Sequence, residues 1–137
     1  MSYKKLKKFP KLPIFDGMSI IYDSVGIKSK SRLDLSLVIF DDYANVASVM
    51  TKSKTYGANI KWLKKIKDYG KAKVLFVNSG NANAYTGKEG YVNVKKIVNY
   101  FYKNKLCSKS EVIISSTGVI GEQLPIKKTY YKKIKRE

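Results

Sequence analysis

The sequence predicts an α+β (mixed α/β) fold, with N-terminal strands followed by a strand–loop–helix–strand unit. Three observations carry that reading. Leu33, Leu35, Leu37 and Ile39 recur with a period of two, as on a half-buried strand. Lys73 to Val77 is a short, nearly continuous apolar run of the kind found in strands buried on both faces. Val94, Ile97, Val98 and Phe101 stand at i, i+3, i+4 and i+7, an amphipathic helical stripe. Strand signals come first and alternate with helical ones later, and a chain of 137 residues is long enough for one core only.

Taken in order, residues 1–13 read as a basic irregular tail, because Pro10 and Pro13 interrupt any helix or central strand. A single domain is expected over 14–126. Met18 to Tyr22 is a short apolar run, and Asp23 to Arg32 is turn-like around Gly26. Leu33 to Phe40 is the strand named above. Asp41-Asp42 predicts a turn, after which Ala44 to Thr51 resumes alternation, so a hairpin or meander is expected. Ile60, Leu63 and Ile66 recur every third residue among lysines and predict an amphipathic helix. Ser108 and Glu111 have the spacing of a capping box, and Val112 to Ser115 predicts another strand. Residues 127–137 read as a second basic tail.

Composition removes whole classes of chemistry. There is no histidine and one cysteine, Cys107. A Ser-His-Asp triad, a Cys-His dyad, a histidine zinc site, a cysteine cluster and an internal disulfide are therefore excluded within the chain; no metal site is expected. The net charge of +18 raises nucleic acid as a partner. Yet the 28 basic residues include only two arginines, Arg32 and Arg136, and lysine is the weaker reader of bases. With abundant Asn, Ile and Tyr, the excess reads better as compositional drift, and nucleic acid is disfavoured. The basic N-terminus has no apolar stretch behind it, and no run approaches a membrane span, so a soluble, cytoplasmic protein is expected.

Two segments depart from ordinary periodicity. NSGNANAYTG, Asn78 to Gly87, follows a buried-type strand and precedes a helix. Gly and Asn adopt left-handed backbone most readily, so such a run lets successive amide N–H groups converge; it equally fits a tight crossover loop whose Asn side chains satisfy its own turns. SSTGVIGE, Ser115 to Glu122, places hydroxyls and a flexible backbone N–H at a strand end, where they can stabilise a developing oxyanion or simply form a turn. A threonine hydroxyl there lacks a neighbouring base. Neither segment carries the Lys-Ser/Thr ending of a phosphate loop or a dinucleotide fingerprint.

NSGNANAYTG followed about 30 residues later by SSTGVIGEQLP resembles the ornithine acetyltransferase family, the glutamate N-acetyltransferases (ArgJ) of arginine biosynthesis. The family motifs usually read NSGNANACTG and STGVIGEPLP; this chain departs at Tyr85 and Gln123. Gly26-Ile27-Lys28 with Asp34-Leu35 resembles the family's GIK…DL segment, and Val49-Met50-Thr51 stands where a Phe-Thr-Thr-Asn stretch is usual.

The resemblance implies an acyltransferase made as a longer precursor that cuts itself before a threonine. That new N-terminal threonine is the nucleophile of the β chain, with its own amine as base. Acetyl passes from N-acetylornithine to the enzyme and then to glutamate; some members also use acetyl-CoA, and no other cofactor is implied. By the same resemblance Thr117 and Gly118 stabilise the oxyanion. Asn78, Ser79, Gly80, Asn81, Asn83, Thr86 and Gly87 belong to the loop that shapes the substrate pocket.

The five threonines, at 51, 55, 86, 117 and 129, include none in a cleavage-segment setting, so the nucleophile is expected in a separate β chain. The family assembles two α and two β chains, and this chain corresponds to an α portion, expected to be inactive alone. The alternatives are a basic nucleic-acid-binding module and a non-functional truncated remnant.

Overall fold

In the computed structural model of the chain, residue 13 and residues 15–129 are described. The basic tails expected at 1–13 and 127–137 fall outside them, apart from residue 13 and residues 127–129. A four-stranded sheet of order β1-β2-β3-β4 runs Met18–Asp23, Leu35–Asn45, Lys71–Asn81 and Val112–Val119. Helix α1 (Ala58–Ile66) joins β2 to β3, α2 (Gly87–Lys103) joins β3 to β4, and a helical turn, α3 (Ile126–Thr129), follows. The first three strands are antiparallel to their neighbours; β3 and β4 are parallel, with α2 as the crossover. The predicted α+β class holds.

Strand register divides the sheet's two faces residue by residue. Ile21, Leu37, Phe76 and Ile114 are successive cross-strand partners on one face. This face is covered: Leu37, Val74, Phe76 and Ile114 join Val94, Ile97, Val98 and Phe101 of α2 in one buried core. The helical stripe therefore packs as its spacing predicts. One position along, Ile20, Val38, Leu75 and Ile113 form a second in-register row on the opposite face. Ile20 is exposed there, and the other three are half-buried.

The expected turn at Asp41-Asp42 does not form. β2 runs through both aspartates, and its pairing shifts between Ile39↔Val74 and Ala44↔Ala72. A bulge takes up the extra residues and leaves both aspartates exposed. Its Asp41 N–H donates to Gly17 O at 2.8 Å, and Lys73 Nζ donates to Asp41 O at 2.6 Å. The hairpin partner of β2 is β1, and residues 46–57 hold no strand. Leu33, placed on the core face by its spacing, is 61% exposed because β2 begins only at Leu35.

Helix α1 forms where predicted but buries a different face. Asn59 and Trp62 go inward, while Ile60 and Leu63 are half-buried. Trp62 has the largest area to hide, and its Nε1–H donates to Val112 O at 2.9 Å, fixing the helix's rotation. The capping-box pair is present: Ser108 N–H donates to Glu111 Oε2 at 2.6 Å. Tyr69 OH donates to the other carboxylate oxygen at 2.8 Å. Burial pushes the Glu111 carboxyl upward, but these hydrogen bonds outweigh it and hold it below the usual carboxylate range. No helix among the described residues is long and apolar enough to cross a membrane.

Candidate active site

The two motifs, separated in sequence by residues 88–114, lie side by side. Both strands extend further than their patterns predict: β3 continues through Asn81 and β4 through Val119, so each motif begins as strand rather than loop. Parallel register then pairs Asn78 with Ser116, Ser79 with Thr117, Gly80 with Gly118 and Asn81 with Val119. This is the carboxyl end of the two parallel strands, where α/β sheets usually place their ligands. Thr117 and Gly118 are exposed, and β4 is an edge of the sheet.

Gly118 (φ +132°) is required by this approach. A Cβ there would lie 2.3 Å from Gly80 C and 2.5 Å from Asn81 N, closer than any carbon can sit. Beyond the strands the motifs remain tied: Ala82 N–H donates to Val119 O at 2.9 Å and Gly121 N–H to Ala84 O at 2.9 Å.

Most of the predicted pocket-loop side chains point inward and bond one another. Asn78 Nδ2 donates to Asn81 O at 2.7 Å, and Asn81 Nδ2 donates to Glu122 O at 3.0 Å. Asn81 Oδ1 accepts from Asn83 N–H at 2.8 Å. Asn83, fully buried with φ +46°, donates from Nδ2 to Gly90 O at 3.1 Å and accepts from Thr86 Oγ1 at 3.0 Å. Asn78, Asn81, Asn83 and Thr86 thus build the frame. Ser79 is half-buried and Gly87 exposed at the start of α2, while Gly80 is buried. Asn78 Oδ1 and Ser116 Oγ, on paired residues, are buried with no hydrogen-bond partner among the described residues.

Other residues complete the frame. Asp34, 2% exposed, accepts from Val25 N–H at 2.8 Å and Ile27 N–H at 2.6 Å through its two carboxylate oxygens. Its carbonyl accepts from Ser79 N–H at 2.8 Å. The Gly26-Ile27-Lys28 segment is thereby fastened to the first motif, and Lys128 Nζ holds it from the other side through Gly26 O at 2.7 Å. The sequence signal for the Asp34 clamp is the resemblance of Gly26-Ile27-Lys28 with Asp34-Leu35 to the family's GIK…DL segment, which names both partners but not the bonds between them. Gln123, one of the two motif departures, donates from Nε2 to Thr86 O at 3.0 Å. Tyr85, the other departure, has φ +56° and is 88% exposed, so it fills no interior space. It borders a depression of about 220 Å³ shared with Tyr56, Lys61, Thr86 and Tyr91. A groove of about 660 Å³ between α1 and α2, lined by Trp62, Tyr69 and Tyr102, contains no motif residue. No cluster of metal-ligating side chains occurs among the described residues.

Known proteins share this arrangement. The model of the ArgJ family matches residues 20–136. The arginine biosynthesis bifunctional protein ArgJ of Mesorhizobium japonicum is 45% identical over 118 residues, which is 86% of this chain and 29% of that protein. Its Bradyrhizobium diazoefficiens counterpart is 42% identical over the same shares. The chain therefore spans under a third of the length of these relatives. Crystal structures agree: ArgJ from Bacillus halodurans superposes with a TM-score of 0.76 at 32% identity, over 82% of this chain and 59% of that one. Ornithine acetyltransferase from Mycobacterium tuberculosis, solved in complex with ornithine, gives 0.74 at 30% identity, over 82% and 62%. With the family's two motifs paired at one sheet edge, the chain belongs to the ArgJ family.

Proposed function

We propose that this chain is the oxyanion-stabilising α portion of a glutamate N-acetyltransferase of arginine biosynthesis, acting in the cytoplasm. The observation that carries the reading is the seating of exposed Thr117–Gly118 in register with Ser79–Gly80, on a frame of buried asparagines. The ornithine bound by the Mycobacterium tuberculosis relative supports an ornithine-type donor.

In this reading a β chain supplies an N-terminal threonine. Its hydroxyl oxygen attacks the acetyl carbonyl of N-acetylornithine, and the α-amine takes the hydroxyl proton. Negative charge collects on the carbonyl oxygen, where Thr117 and Gly118 donate hydrogen bonds to it. The C–N bond breaks, the proton passes to the leaving amine, and ornithine departs. The amine of glutamate then attacks the acetyl-enzyme and releases N-acetylglutamate; acetyl-CoA is the alternative donor. The chain alone, lacking the nucleophile, turns over nothing.

The test is to mix the chain with a β segment from a relative and assay acetyl transfer from N-acetylornithine to glutamate. Transfer should appear only in the mixture and fall by about 10²–10³-fold with Thr117→Ala. A fully active Thr117→Ala mixture would remove the assigned role.

A further inference from the structure

The seam between α1 and α2 repeats one arrangement, a lysine ammonium held over an aromatic ring. Lys64 Nζ lies 3.9 Å from the centre of the Tyr56 ring, Lys65 Nζ 6.0 Å from that of Trp62, and Lys109 Nζ 4.8 Å from that of Tyr102. Lys61 and Lys95 share the Tyr91 ring, at 4.9 and 5.3 Å. Lys61 borders the depression of about 220 Å³ and Lys95 the groove of about 660 Å³, so this shared ring joins the two. Among the described residues no carboxylate lines either one. The two helices carry seven lysines against one acid, Glu89.

We propose that this seam binds single-stranded nucleic acid, its lysines following the phosphates and its rings stacking on the bases. Three observations favour that occupant. The lysine–ring unit recurs along the seam, which suits a polymer that repeats a phosphate and a base; an acidic peptide would pair with the lysines and leave the rings unused. Tyr56, Tyr69 and Tyr102 are exposed, and a duplex would keep its base faces away from them. The chain's own ends carry the wrong charge to fill the groove: residues 1–12 hold five lysines and no acid, and residues 130–137 four basic residues and one glutamate. Scarce arginine argues against reading base edges, but stacking and phosphate contact need no bidentate fork. On binding, each ammonium exchanges its ring for a phosphate and frees the ring face for a base. The larger groove contains no motif residue, so this function stands apart from the acetyltransferase reading.

The experiment measures binding of the full chain to fluorescein-labelled oligo(U) RNA and oligo(dT) DNA by anisotropy, across a series of salt concentrations. Wild type should bind. In the double variant Lys65→Gln with Lys95→Gln, the dependence of log Kd on log salt should flatten by about 1.4, two phosphate contacts at about 0.7 each. Tyr102→Ala should bind at least ~10-fold more weakly, through one lost stack. Lys30→Gln with Lys52→Gln removes the same charge from exposed positions outside the seam and should keep the wild-type slope. Circular dichroism checks that each variant is folded, and the lysine pair decides the matter should Tyr102→Ala unfold. Equal flattening by the two lysine pairs overturns the proposal, because net charge alone would then be responsible. So does full affinity in a folded Tyr102→Ala, failure of the wild type to bind, or equal competition by polyglutamate, which would point to an acidic protein partner. Tighter binding of one oligomer identifies RNA or DNA as the source, and equal binding shows that the sugar is not read; both results support the seam.

Discussion

Gly118 lies against Gly80 so closely that a methyl group on it would sit 2.3 Å from the Gly80 carbonyl carbon. Contact at this distance is resolved only by separating β3 from β4. Gly118→Ala should therefore cost at least ~3 kcal/mol, overpacking added to a strained φ. Gly87 also has positive φ, at +60°, but nothing lies within 4 Å of its missing Cβ, so Gly87→Ala should cost only about 1 kcal/mol. Urea midpoints of the two variants measure the difference.

Two buried polar residues at the site should respond in opposite ways. Ser116 Oγ has no partner among the described residues, so Ser116→Ala loses no bond to them and should shift stability by less than ~0.5 kcal/mol. Asn83 makes bonds to Gly90 O and Thr86 Oγ1, and alanine at its φ of +46° is strained. Asn83→Ala should lower stability by about 3 kcal/mol, and the urea midpoint decides it.

Acid should attack the fold at Glu111. Its carboxyl is held below its ordinary value of 4.5 in the folded chain by Ser108 N–H and Tyr69 OH, against the opposing pull of burial. The ionised form is the one that folding favours, so its contribution is complete above about pH 4.5 and disappears as pH falls through the lower folded value. Denaturation midpoints from pH 6 to pH 3 should decline more steeply for wild type than for Glu111→Gln. Equal slopes would mean that these hydrogen bonds do not favour the ionised form.

Cys107 should be slow to react. Burial pushes its thiol up to about 12, leaving little thiolate at pH 8. Alkylation by iodoacetamide should run at least ~100-fold slower in the native chain than in urea, where the ordinary thiol pKa returns. Comparable rates would show that the half-buried thiol is open to solvent.

The helical stripe of α2 was legible because it places every large side chain on the covered face, and the apolar run of β3 because Val74 and Phe76 on one side of it enter the same core. Asp41-Asp42 misled because a bulge and a turn demand the same exposed, polar residues; only the pairing with β3 separates them. In α1 the count of apolar residues favoured Ile60 and Leu63, whereas the indole of Trp62 needed both burial and the Val112 carbonyl. The motifs stood out as strings, and their resemblance to the family led to Thr117 and Gly118. Their adjacency was not legible, since it depends on the parallel register of strands separated by a helix. Nor was the inward turn of Asn78, Asn81 and Asn83: most of their bonds are to groups within seven residues, which fits a solvated turn as well, and only Asn81 reaches a distant carbonyl, that of Glu122.

That register has a consequence for which changes in length the gene can tolerate. Ser79 meets Thr117 because the stretch between them, α2 included, has one particular length. Inserting a single residue into α2 would turn everything after it by about 100°. Absorbing the insertion instead as a one-residue slip of β4 would send Thr117 to the helical side and Ser116 to the open one. The stretch 46–57 aligns no pair of strand residues across the site, and an added residue there would leave both motifs facing each other. Deletion and insertion scanning should therefore find α2 intolerant and the 46–57 stretch permissive, although both are connections between strands.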